Sequence, residues 1–353
     1  MVAISELNDD LLGHILKRVS DPGDRKRVSE VCKLWLTVEG LTRRSLTLLR
    51  LSRLRQVLPR FPNLVSFQTS GPYFEEADLV FVAQTCPKLE TIDLSTAQHG
   101  AGLLPENSLY GLLRGGVLPK LSKVSVRGRW RVAAARWVHR LYNLTYLDLG
   151  GCSDVDDYAL EAIGLVCICL IYLNLELCGV SDNGLGFLAQ GRCSKTLNTL
   201  VLADCKGITD LGLSHLQNFR FLEELDLKGC NVTDTGVIAG ISPDRSLKKL
   251  NLANLGKFRH LSDQSMAFVA ANCPNLEILD LSSSHVTGAG VRAFYGHRCL
   301  QSLVLRWCPE FSWSDIEHMV LGCKSLKSML VSMPPMHSVP ESVSRIVSLI
   351  DEG

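Results

Sequence analysis

The stretch LTYLDLGGC at residues 144–152 is followed at regular intervals by six similar stretches. These six read LIYLNLELC (170–178), LNTLVLADC (197–205), LEELDLKGC (222–230), LKKLNLANL (247–255), LEILDLSSS (276–284) and LQSLVLRWC (300–308). The first leucines of successive stretches lie 24 to 29 residues apart. Weaker copies begin at Leu64, Leu89, Leu121 and Leu326. A period in this range indicates one structural unit that is repeated along most of the chain.

Each copy combines a strand pattern with a helix pattern. Within LDL or LNL the leucines alternate with polar residues, so the leucines share one face of a short strand. The following segment, for example VSDNGLGFLAQ at 180–190, has Ser181 as a helix cap and Asp182 at the positive end of the helix dipole. Apolar residues then recur at helical spacing. One strand and one helix per repeat predict an α/β solenoid with a curved parallel sheet inside and helices outside.

We expect the solenoid to cover residues 46–337 as about 10 to 11 repeats, of which the first are irregular. A single repeat cannot bury its own apolar face, so the core has to come from stacking of neighbours. Residues 338–353 contain the weakly amphipathic segment VPESVSRIVSLI. We predict that they form a C-terminal tail or a cap on the open end of the solenoid.

Most of the 13 cysteines occupy two positions of the repeat. One set directly follows the strand, at Cys152, Cys178, Cys205, Cys230 and Cys308. The other set lies near the end of the helix, at Cys86, Cys193, Cys273, Cys299 and Cys323. Free cysteine behaves as a small buried hydrophobe, so we predict a packing role for both sets. The period, the leucines and the cysteine position together resemble the cysteine-containing class of leucine-rich repeats over about residues 60–335.

The overall composition narrows the classes of partner. The 353 residues carry a formal net charge of +1 and are 46% hydrophobic. A protein whose main partner is nucleic acid usually has a strong basic excess, so we expect no nucleic-acid partner. No apolar run reaches the roughly 18 residues of a membrane span, and the acidic N-terminus MVAISELNDDLL does not have the pattern of a signal peptide. We therefore expect no membrane partner, and a location in the cytoplasm, the nucleus or both.

The first 45 residues depart from the repeat and carry two helical patterns. In the first, apolar residues share one helix face at Leu7, Leu11, Leu12, Ile15, Leu16 and Val19. Asn8 is a candidate cap for this helix. The sequence DPGD at 21–24 predicts a turn. In the second pattern, apolar residues recur at helical spacing at Val28, Val31, Cys32 and Trp35. We predict a small all-α domain over residues 1–45.

Residues 6–38, ELNDDLLGHILKRVSDPGDRKRVSEVCKLWLTV, resemble an F-box. The shared features are a leucine pair, an Ile-Leu pair, an Asp-Arg step and then the pattern Ser-x-Val-Cys-Lys-x-Trp. Members of this family usually carry proline after the first leucine, whereas this chain has Asn8. An N-terminal F-box followed directly by leucine-rich repeats is the architecture of substrate receptors of SCF (Skp–cullin–F-box) ubiquitin ligases.

The resemblance implies a substrate-recognition subunit that has no catalytic residue of its own. Its F-box would bind a Skp-type adaptor, and through it cullin and RING subunits, while the repeats hold an unknown protein substrate for ubiquitination. The residues implied for adaptor binding are Leu7, Leu11, Leu12, Ile15, Leu16, Val28, Val31, Cys32 and Trp35. Two alternatives remain open. The helices could only cap a stand-alone interaction scaffold, or the repeat face could hold a small molecule.

The substrate would contact residues that lie between the strand leucines or in irregular repeats. Between the leucines the candidates are Tyr146, Asp148, Tyr172, Asn174, Glu176 and Arg306. Tyr146 and Tyr172 should lie side by side on neighbouring strands, and tyrosine is a common anchor at interfaces. Irregular or aromatic segments add Arg129, Trp130 and Trp307, because arginine and tryptophan are enriched at binding hot spots.

The sequence has no pattern that predicts catalysis, a metal site or a bound cofactor. The GxGxxA pattern at 288–293 resembles a dinucleotide-binding fingerprint, but Gly290 aligns with glycines at 184, 212 and 236 of other repeats. The repeat itself therefore explains the pattern. Cys167 and Cys169 form a C-x-C pair without a second pair at zinc-binding spacing.

Overall fold

The N-terminal segment forms three short helices in the computed structural model of the chain. The structure describes residues 8–71, 75–96, 102–103, 109, 112, 118–130, 134–241, 246–255, 261–308, 311–332 and 341–349. The three helices are α1 (Asp9–Arg18), α2 (Pro22–Ser29) and α3 (Lys33–Thr42). Asn8 caps α1, since its side-chain oxygen accepts a hydrogen bond of 2.8 Å from the Leu11 amide. The capping predicted for Asn8 is therefore confirmed.

Two local predictions for this segment are wrong. The predicted turn at 21–24 is the start of α2, where the Asp21 carboxylate accepts the Asp24 amide at 2.8 Å and proline occupies the first turn. The second apolar pattern does not lie on one helix. The chain leaves α2 after Ser29 and is extended at Cys32, with φ of −162°, before α3 begins. Val28 and Trp35 therefore belong to different helices.

A buried ion cluster holds α2 against α3. The Glu39 carboxylate is almost fully buried, and it accepts from Arg43 Nε at 2.6 Å and lies 3.4 Å from Arg25 Nε. Arg25 also donates to the Thr42 hydroxyl at 2.8 Å. Burial lowers the pKa of Arg25, and the Glu39 carboxylate opposes that effect. A buried charge is tolerated only with such partners, so these four residues fix the relative position of the two helices.

The third helix also contacts the first repeat directly. Gly40 lies against the backbone carbonyl of Arg60, and any Cβ at position 40 would collide with that oxygen. The Asn63 side-chain amide donates to the Leu41 carbonyl at 2.9 Å, and the Arg43 guanidinium lies 5.3 Å from the centre of the Phe61 ring. The N-terminal helices are therefore docked on the solenoid rather than tethered to it.

Thirteen strands form one parallel sheet in the described part of the chain, and two shorter strands pair separately. The strands of the main sheet are β1 (Ser45–Thr47), β2 (Ser66–Gln68), β3 (Thr91–Asp93), β5 (Lys123–Ser125), β7 (Tyr146–Asp148), β8 (Tyr172–Asn174), β9 (Thr199–Val201), β10 (Glu224–Asp226), β11 (Lys249–Asn251), β12 (Ile278–Asp280), β13 (Ser302–Leu305), β14 (Ser328–Val331) and β15 (Val347–Leu349). The separate pair is β4 (Gly102–Leu103) and β6 (Arg129–Trp130). Strand β15 lies in the segment predicted as a tail or cap, and it extends the sheet beyond β14.

A helix or helical turn follows most strands. The α-helices after the N-terminal region are α4 (Leu54–Val57), α5 (Glu76–Thr85), α6 (Ala134–Trp137), α7 (Asp157–Val166), α8 (Asp182–Gln190), α9 (Asp210–Leu213), α10 (Asp234–Gly240), α11 (Asp263–Asn272), α12 (Gly288–Arg292) and α13 (Trp313–Gly322). Short 3₁₀ segments lie at Leu51–Arg53, Leu58–Arg60, Val138–Arg140, Arg192–Lys195 and Ser214–Asn218. Among the described residues, no helix has the length and apolar character needed to cross a bilayer.

The leucines of successive strands lie in register and form the core. The central row pairs Leu147 with Leu173, Leu173 with Leu200, and so on through Leu225 and Leu250. These side chains are buried, and one apolar cluster extends through the repeats from Leu46 to Val347. The predicted α/β solenoid with a parallel sheet is therefore confirmed, and stacking of the repeats supplies its core.

Hydrogen bonds between helix starts join one repeat to the next. The Asp157 carboxylate accepts the Ser181 amide at 2.7 Å and the Ser181 hydroxyl at 2.5 Å, while Ser181 caps α8. The same arrangement joins Asp182 to Thr209, Asp210 to Thr233, Asp234 to Ser262 and Asp263 to Thr287. A Cβ at Gly184 or Gly290 would collide with the carboxylate of the preceding repeat. Gly290 therefore belongs to the repeat, as expected from the sequence.

The cysteines that follow the strands form a second set of contacts between repeats. The Cys178 thiol donates to the Leu149 carbonyl of the preceding repeat at 3.2 Å. Equivalent bonds join Cys152 to Val126, Cys205 to Leu175, Cys230 to Leu202 and Cys308 to Leu281. These cysteines are buried, and so are Cys86, Cys193, Cys273 and Cys323, whereas Cys299 is half-buried. The predicted packing role is confirmed for the buried residues.

Burial makes most thiols of the folded protein unreactive. It raises the pKa of Cys152 and of Cys205 to about 12, because the thiolate is poorly solvated. We predict that iodoacetamide at pH 8 modifies Cys32 and Cys169, which are exposed, well before any cysteine that follows a strand. Mass spectrometry of tryptic peptides over time measures the order, and a urea-unfolded sample serves as the control. Fast modification of Cys152 or Cys205 in the folded chain would contradict the packing role.

Candidate functional site

The inner face of the sheet presents two rows of side chains that point away from the leucine core. Side chains alternate along a strand, so the first and third strand residues share this face. The first row contains Tyr146, Tyr172, Thr199, Glu224, Lys249 and Ile278. The second row contains Asp148, Asn174, Val201, Asp226, Asn251, Asp280 and Val304. The strand register therefore brings together residues that lie far apart in the chain.

Two tyrosines of the first row form a stacked pair. The rings of Tyr146 and Tyr172 have centroids 4.3 Å apart and are inclined by only 6°. Burial raises the pKa of both phenols, so both are neutral over the physiological range. The predicted side-by-side placement is confirmed. Their role in substrate binding stays a prediction.

Asp148 and Asn174 are less accessible than their positions in the sequence indicate. They are only 7% and 3% exposed. The Asp148 carboxylate accepts the Gly150 amide at 3.0 Å, and the Asn174 side-chain oxygen accepts the Glu176 amide at 2.9 Å. Burial raises the pKa of Asp148. The side chains of Asp148 and Asn174 therefore hold the turns that follow β7 and β8. Little of either side chain is exposed for contact with a partner.

The same bond to the amide two residues ahead recurs along the second row. It is made by Asp93, Asp226, Asn251 and Asp280. Both aspartate and asparagine occur at these positions, since the oxygen of either side chain can accept the bond. The bond therefore needs an acceptor but not a charge, and the turns after Val201 and Val304 form without it.

Glu176 remains a candidate for binding a partner. It forms an ion pair with Arg127, which lies two strands away on the same face. Gly150 lies between them, and a Cβ there would meet the Arg127 guanidinium. Both side chains are partly exposed, so the pair is open to exchange with charged groups of a partner.

The structure corrects the prediction that Arg129 lies on a binding surface. Its side chain is fully buried, and it donates from Nε to the Leu94 carbonyl at 2.6 Å and from Nη2 to the Gly71 carbonyl at 2.7 Å. Burial lowers the pKa of Arg129 to about 10. Arg129 occupies the position that cysteine holds in later repeats, and like those cysteines it bonds a carbonyl of an earlier repeat. The backbone of Trp130 belongs to β6, and its side chain lies outside the described residues.

Arg306 and Trp307 are exposed where β13 ends. Trp307 is 58% exposed and has φ of +56°, in the left-handed region. Leu177, Asp204 and Asn254 hold the same left-handed position in other repeats. A bulky side chain there is unfavourable by about 1–2 kcal/mol, so the turn geometry of the repeat imposes the conformation. Arg306 and Trp307 stay available to a partner, as predicted from the sequence.

Sequence reasoning did not identify a hollow of about 270 Å³ in the inner face. Its lining is formed by Thr199, Leu200, Val201, Glu224, Leu225, Asp226, Lys249, Leu250, Asn251, Ile278, Asp280 and Val304. The sequence contains one indication of this hollow. Val201, Ile278 and Val304 are aliphatic at positions of the two rows where most repeats have polar residues. That signal becomes meaningful only once the strand register is known, because these three residues come from different repeats.

The residues implied for adaptor binding divide into buried and exposed groups. Leu12 and Leu16 are buried and pack with Val38, and Val28 and Trp35 are half-buried against them. Leu11, Ile15 and Val31 are 55%, 48% and 58% exposed, and Cys32 is exposed as well. Leu34, which the sequence analysis did not select, is also exposed at 40%. Leu7 lies outside the described residues.

We call Leu11, Ile15, Val31 and Leu34 the N-terminal apolar surface. Leu11 and Ile15 lie one turn apart on α1, while Leu12 and Leu16 form the adjacent, buried stripe. The buried stripe stabilises the three helices. The exposed residues can contact another protein without unfolding these helices, whereas Leu12 and Leu16 cannot.

Family models match both parts of the chain. A model described as F-box matches residues 4–45. A model described as Leucine Rich repeat matches residues 166–189, 193–216, 220–239 and 272–294. The chain therefore combines an F-box with leucine-rich repeats.

Three curated relatives cover much of the chain at low identity. F-box/LRR-repeat protein 17 of Arabidopsis thaliana is 22% identical over 374 residues, covering 91% of this chain and 61% of its own length. Putative RNA-binding protein EEED8.10 of Caenorhabditis elegans is 26% identical over 290 residues, covering 81% and 37%. F-box/LRR-repeat protein 4 of Bos taurus is 27% identical over 219 residues, covering 60% and 30%. The chain thus spans less than two thirds of each relative.

Two solved structures share the fold. The TLR13–ssRNA13 complex matches with a TM-score of 0.54 and 23% identity, covering 89% of this chain and 41% of that one. The complex of Rad7 and Elc1 in yeast matches with a TM-score of 0.50 and 16% identity, covering 91% and 75%. At these identities the likeness supports the solenoid fold alone.

The burial of Arg129 gives a prediction that separates a structural role from a binding role. Replacing Arg129 with Met leaves buried carbonyls without their donor, at about 1–3 kcal/mol for each group. We expect Arg129→Met to lower the melting temperature by several degrees in differential scanning calorimetry. Arg127→Met, which removes only a partly exposed ion pair, is the matched control and should change stability by about 1 kcal/mol or less. Equal effects of the two substitutions would argue against the interior role of Arg129.

Proposed function

Because this chain is an F-box protein with leucine-rich repeats, we propose that it is the substrate-recognition subunit of an SCF-type E3 ubiquitin ligase. In this proposal the F-box docks a Skp-type adaptor, which links the chain to cullin and RING subunits. The inner face of the repeats binds the protein substrate. The chain acts as a non-catalytic receptor, in the cytoplasm, the nucleus or both.

The observation that carries the proposal is the N-terminal apolar surface. Leu11, Ile15, Val31 and Leu34 are large, apolar and exposed on a helical domain whose own core is already formed by other residues. Several large apolar side chains exposed on one small domain are typical of a domain that binds another protein. A surface of this kind fits an adaptor protein better than a cap on the solenoid, because the docking onto the first repeat uses Gly40 and Leu41 instead.

The docked arrangement also fits the proposed mechanism. A receptor of this class accelerates ubiquitin transfer by holding a substrate lysine near the charged ubiquitin-conjugating enzyme, which is an effect of proximity. Proximity is most effective when the connection between the two binding surfaces is stiff. The Glu39 ion cluster fixes α2 against α3, and the contact of Gly40 with Arg60 fixes α3 against the repeats.

The names of the similar proteins include both protein and RNA partners. Two relatives are named as F-box/LRR-repeat proteins, and the yeast Rad7 structure was solved as a complex with Elc1. One relative and one solved structure carry RNA in their names. For this chain the net charge of +1 favours a protein substrate, because it provides little electrostatic attraction to a polyanion.

A stand-alone interaction scaffold is the second candidate function. Asn8 favours it, because F-box sequences usually carry proline at that place. In this chain Asn8 caps α1 through the Leu11 amide, so the start of the helix is stable without an adaptor. Adaptor binding distinguishes the two candidates.

We predict submicromolar binding of a purified Skp-type adaptor to the chain in isothermal titration calorimetry. Replacing exposed Leu11 and Ile15 with Asp should weaken binding at least 100-fold, since two apolar anchors become charged and desolvation costs rise. Leu211→Asp, at a leucine in the repeats that is more exposed than Leu11, is the matched control and should bind like the wild type. Circular dichroism checks that each variant is folded. Absence of binding by the folded wild type would reject the ligase role and favour the scaffold.

A further inference from the structure

The hollow in the inner face is framed by the two rows of side chains on strands β9 to β13. Its base is formed by strand leucines, and its walls combine three aliphatic side chains with four charged ones. The aliphatic side chains are Val201, Ile278 and Val304. The charged side chains are Glu224, Asp226, Lys249 and Asp280. The hollow is thus both apolar and acidic.

The size of the hollow indicates what can occupy it. Sites for cofactors and drug-like molecules usually measure about 300–1,000 Å³ and enclose most of the ligand. A volume of about 270 Å³ in an open sheet face is smaller than that range. It suits one or two side chains of a protein that lies across the strands, and it does not favour the small-molecule receptor considered from the sequence.

The charges of the lining indicate whether the hollow binds a positively or a negatively charged group. Three carboxylates face one ammonium group, so the lining carries a net of two negative charges. The Lys249 ammonium lies 2.6 Å from Glu224 and neutralises it. The Asp226 carboxylate accepts the Lys228 amide on Oδ1 and the Asn251 side-chain amide on Oδ2 at 3.2 Å. Asp280 is therefore the carboxylate best placed to bind a cation, and Asp226 adds a second negative charge beside it. Burial raises the pKa of Asp226, which means that its ionised form is poorly solvated in the empty hollow.

Lys228 and Arg306 are cations that follow the lining residues Asp226 and Val304 by two positions in the chain. Both side chains are exposed and neither lines the hollow. The Lys228 charge favours the ionised form of Asp226. Both cations are exposed to solvent, and screening weakens their repulsion of a positively charged occupant. Since Glu224 and Lys249 neutralise each other, the two aspartates give the lining its net negative charge.

Aliphatic walls beside two carboxylates match the structure of arginine. Its three methylenes pack against apolar surface while the planar guanidinium donates to carboxylate oxygens. The described hydrogen bonds of Asp280 all end on Oδ1, where the Ser282 amide and hydroxyl donate. Its Oδ2 is therefore the natural acceptor for a guanidinium.

We propose that the hollow binds one arginine side chain from an extended segment of the protein partner. Calling this partner a ubiquitination substrate rests on the proposed function, whereas the arginine specificity does not. Both the positive charge and the elongated shape of arginine contribute to binding. A side chain that has the shape without the charge, or the charge without the shape, therefore binds more weakly.

The test uses the full chain and short blocked peptides, acetyl-Ala-Ala-Arg-Ala-Ala-amide and versions with citrulline, lysine or glutamate in place of arginine. Citrulline is the matched control, since it has nearly the shape of arginine but no charge. Methyl resonances of Val201, Ile278 and Val304 report binding in an NMR titration. We expect the arginine peptide to shift these three residues and to bind at least tenfold more tightly than the citrulline peptide. Weaker binding of lysine than of arginine supports the proposal, and equal binding of citrulline or glutamate overturns it.

The protein variants are chosen to remove charge without disturbing the turns. Asp280→Asn keeps an oxygen for the Ser282 amide, as Asn174 and Asn251 do for their own turns in the same row. We expect it to weaken the arginine peptide at least tenfold. Asp93→Asn makes the same change outside the hollow and should leave the affinity unchanged. If Asp280→Asn is unstable, Asp226→Asn replaces it; this change also removes one negative charge, at the loss of the hydrogen bond from Asn251, and it should likewise weaken the arginine peptide.

Adaptor binding, measured on the same preparation, separates the two proposals. Arginine-dependent shifts without adaptor binding would reject the ligase role and keep the hollow as an arginine site. Adaptor binding without these shifts would keep the ligase role and overturn the arginine site.

Discussion

The structure depends on one constraint, namely that no repeat can bury its leucines alone. Each unit consists of a three- or four-residue strand and a short helical segment, and its apolar side chains become buried only when the next unit covers them. Every repeat is therefore an interface on both sides. Its polar groups must find partners across the boundary as reliably as its leucines do, since a buried polar group without a partner is costly.

Three kinds of hydrogen bond meet this requirement at successive points of the repeat. The sheet joins the strands, thiols bond carbonyls just after the strands, and aspartates bond the caps of the following helices. Position 129 illustrates how strict the requirement is. This position holds arginine instead of cysteine, yet the Nε of Arg129 still donates to a carbonyl of an earlier repeat. Its Nη2 donates to the Gly71 carbonyl as well. The chemistry of the side chain changed while the hydrogen bond was kept.

The fold could be predicted because the signals were local and repeated. Alternating leucines define the strands, and Ser or Thr before Asp defines the helix starts, so each repeat supports the same conclusion independently. The correct prediction for Asn8 also rests on a local signal. The predictions that failed depend on a single occurrence. Nothing within residues 28–35 indicates that the helix ends near Glu30, and an arginine beside a tryptophan resembles a binding hot spot even when, as at Arg129, it is buried.

The candidate sites were harder to predict because they depend on register. Asp148 and Asn174 look like free polar side chains until the turn that they hold is known, and the hollow joins residues from five repeats. The N-terminal apolar surface was recognised only in part. A helical pattern identifies the apolar residues, but which stripe is buried depends on how α1 packs against α3.

Because α3 is docked on the first repeat, the number of repeats sets the distance between the N-terminal helices and the hollow. Seven strand spacings separate β1 from β10, which lines the hollow, and this is about 34 Å of arc at ~4.8 Å per strand. The loss or gain of one whole repeat between the two would change this distance by about 5 Å and leave both ends unaltered. The separation of the two binding surfaces in such a protein therefore changes in equal steps. Duplication of a single repeat in the gene can adjust it without altering either surface.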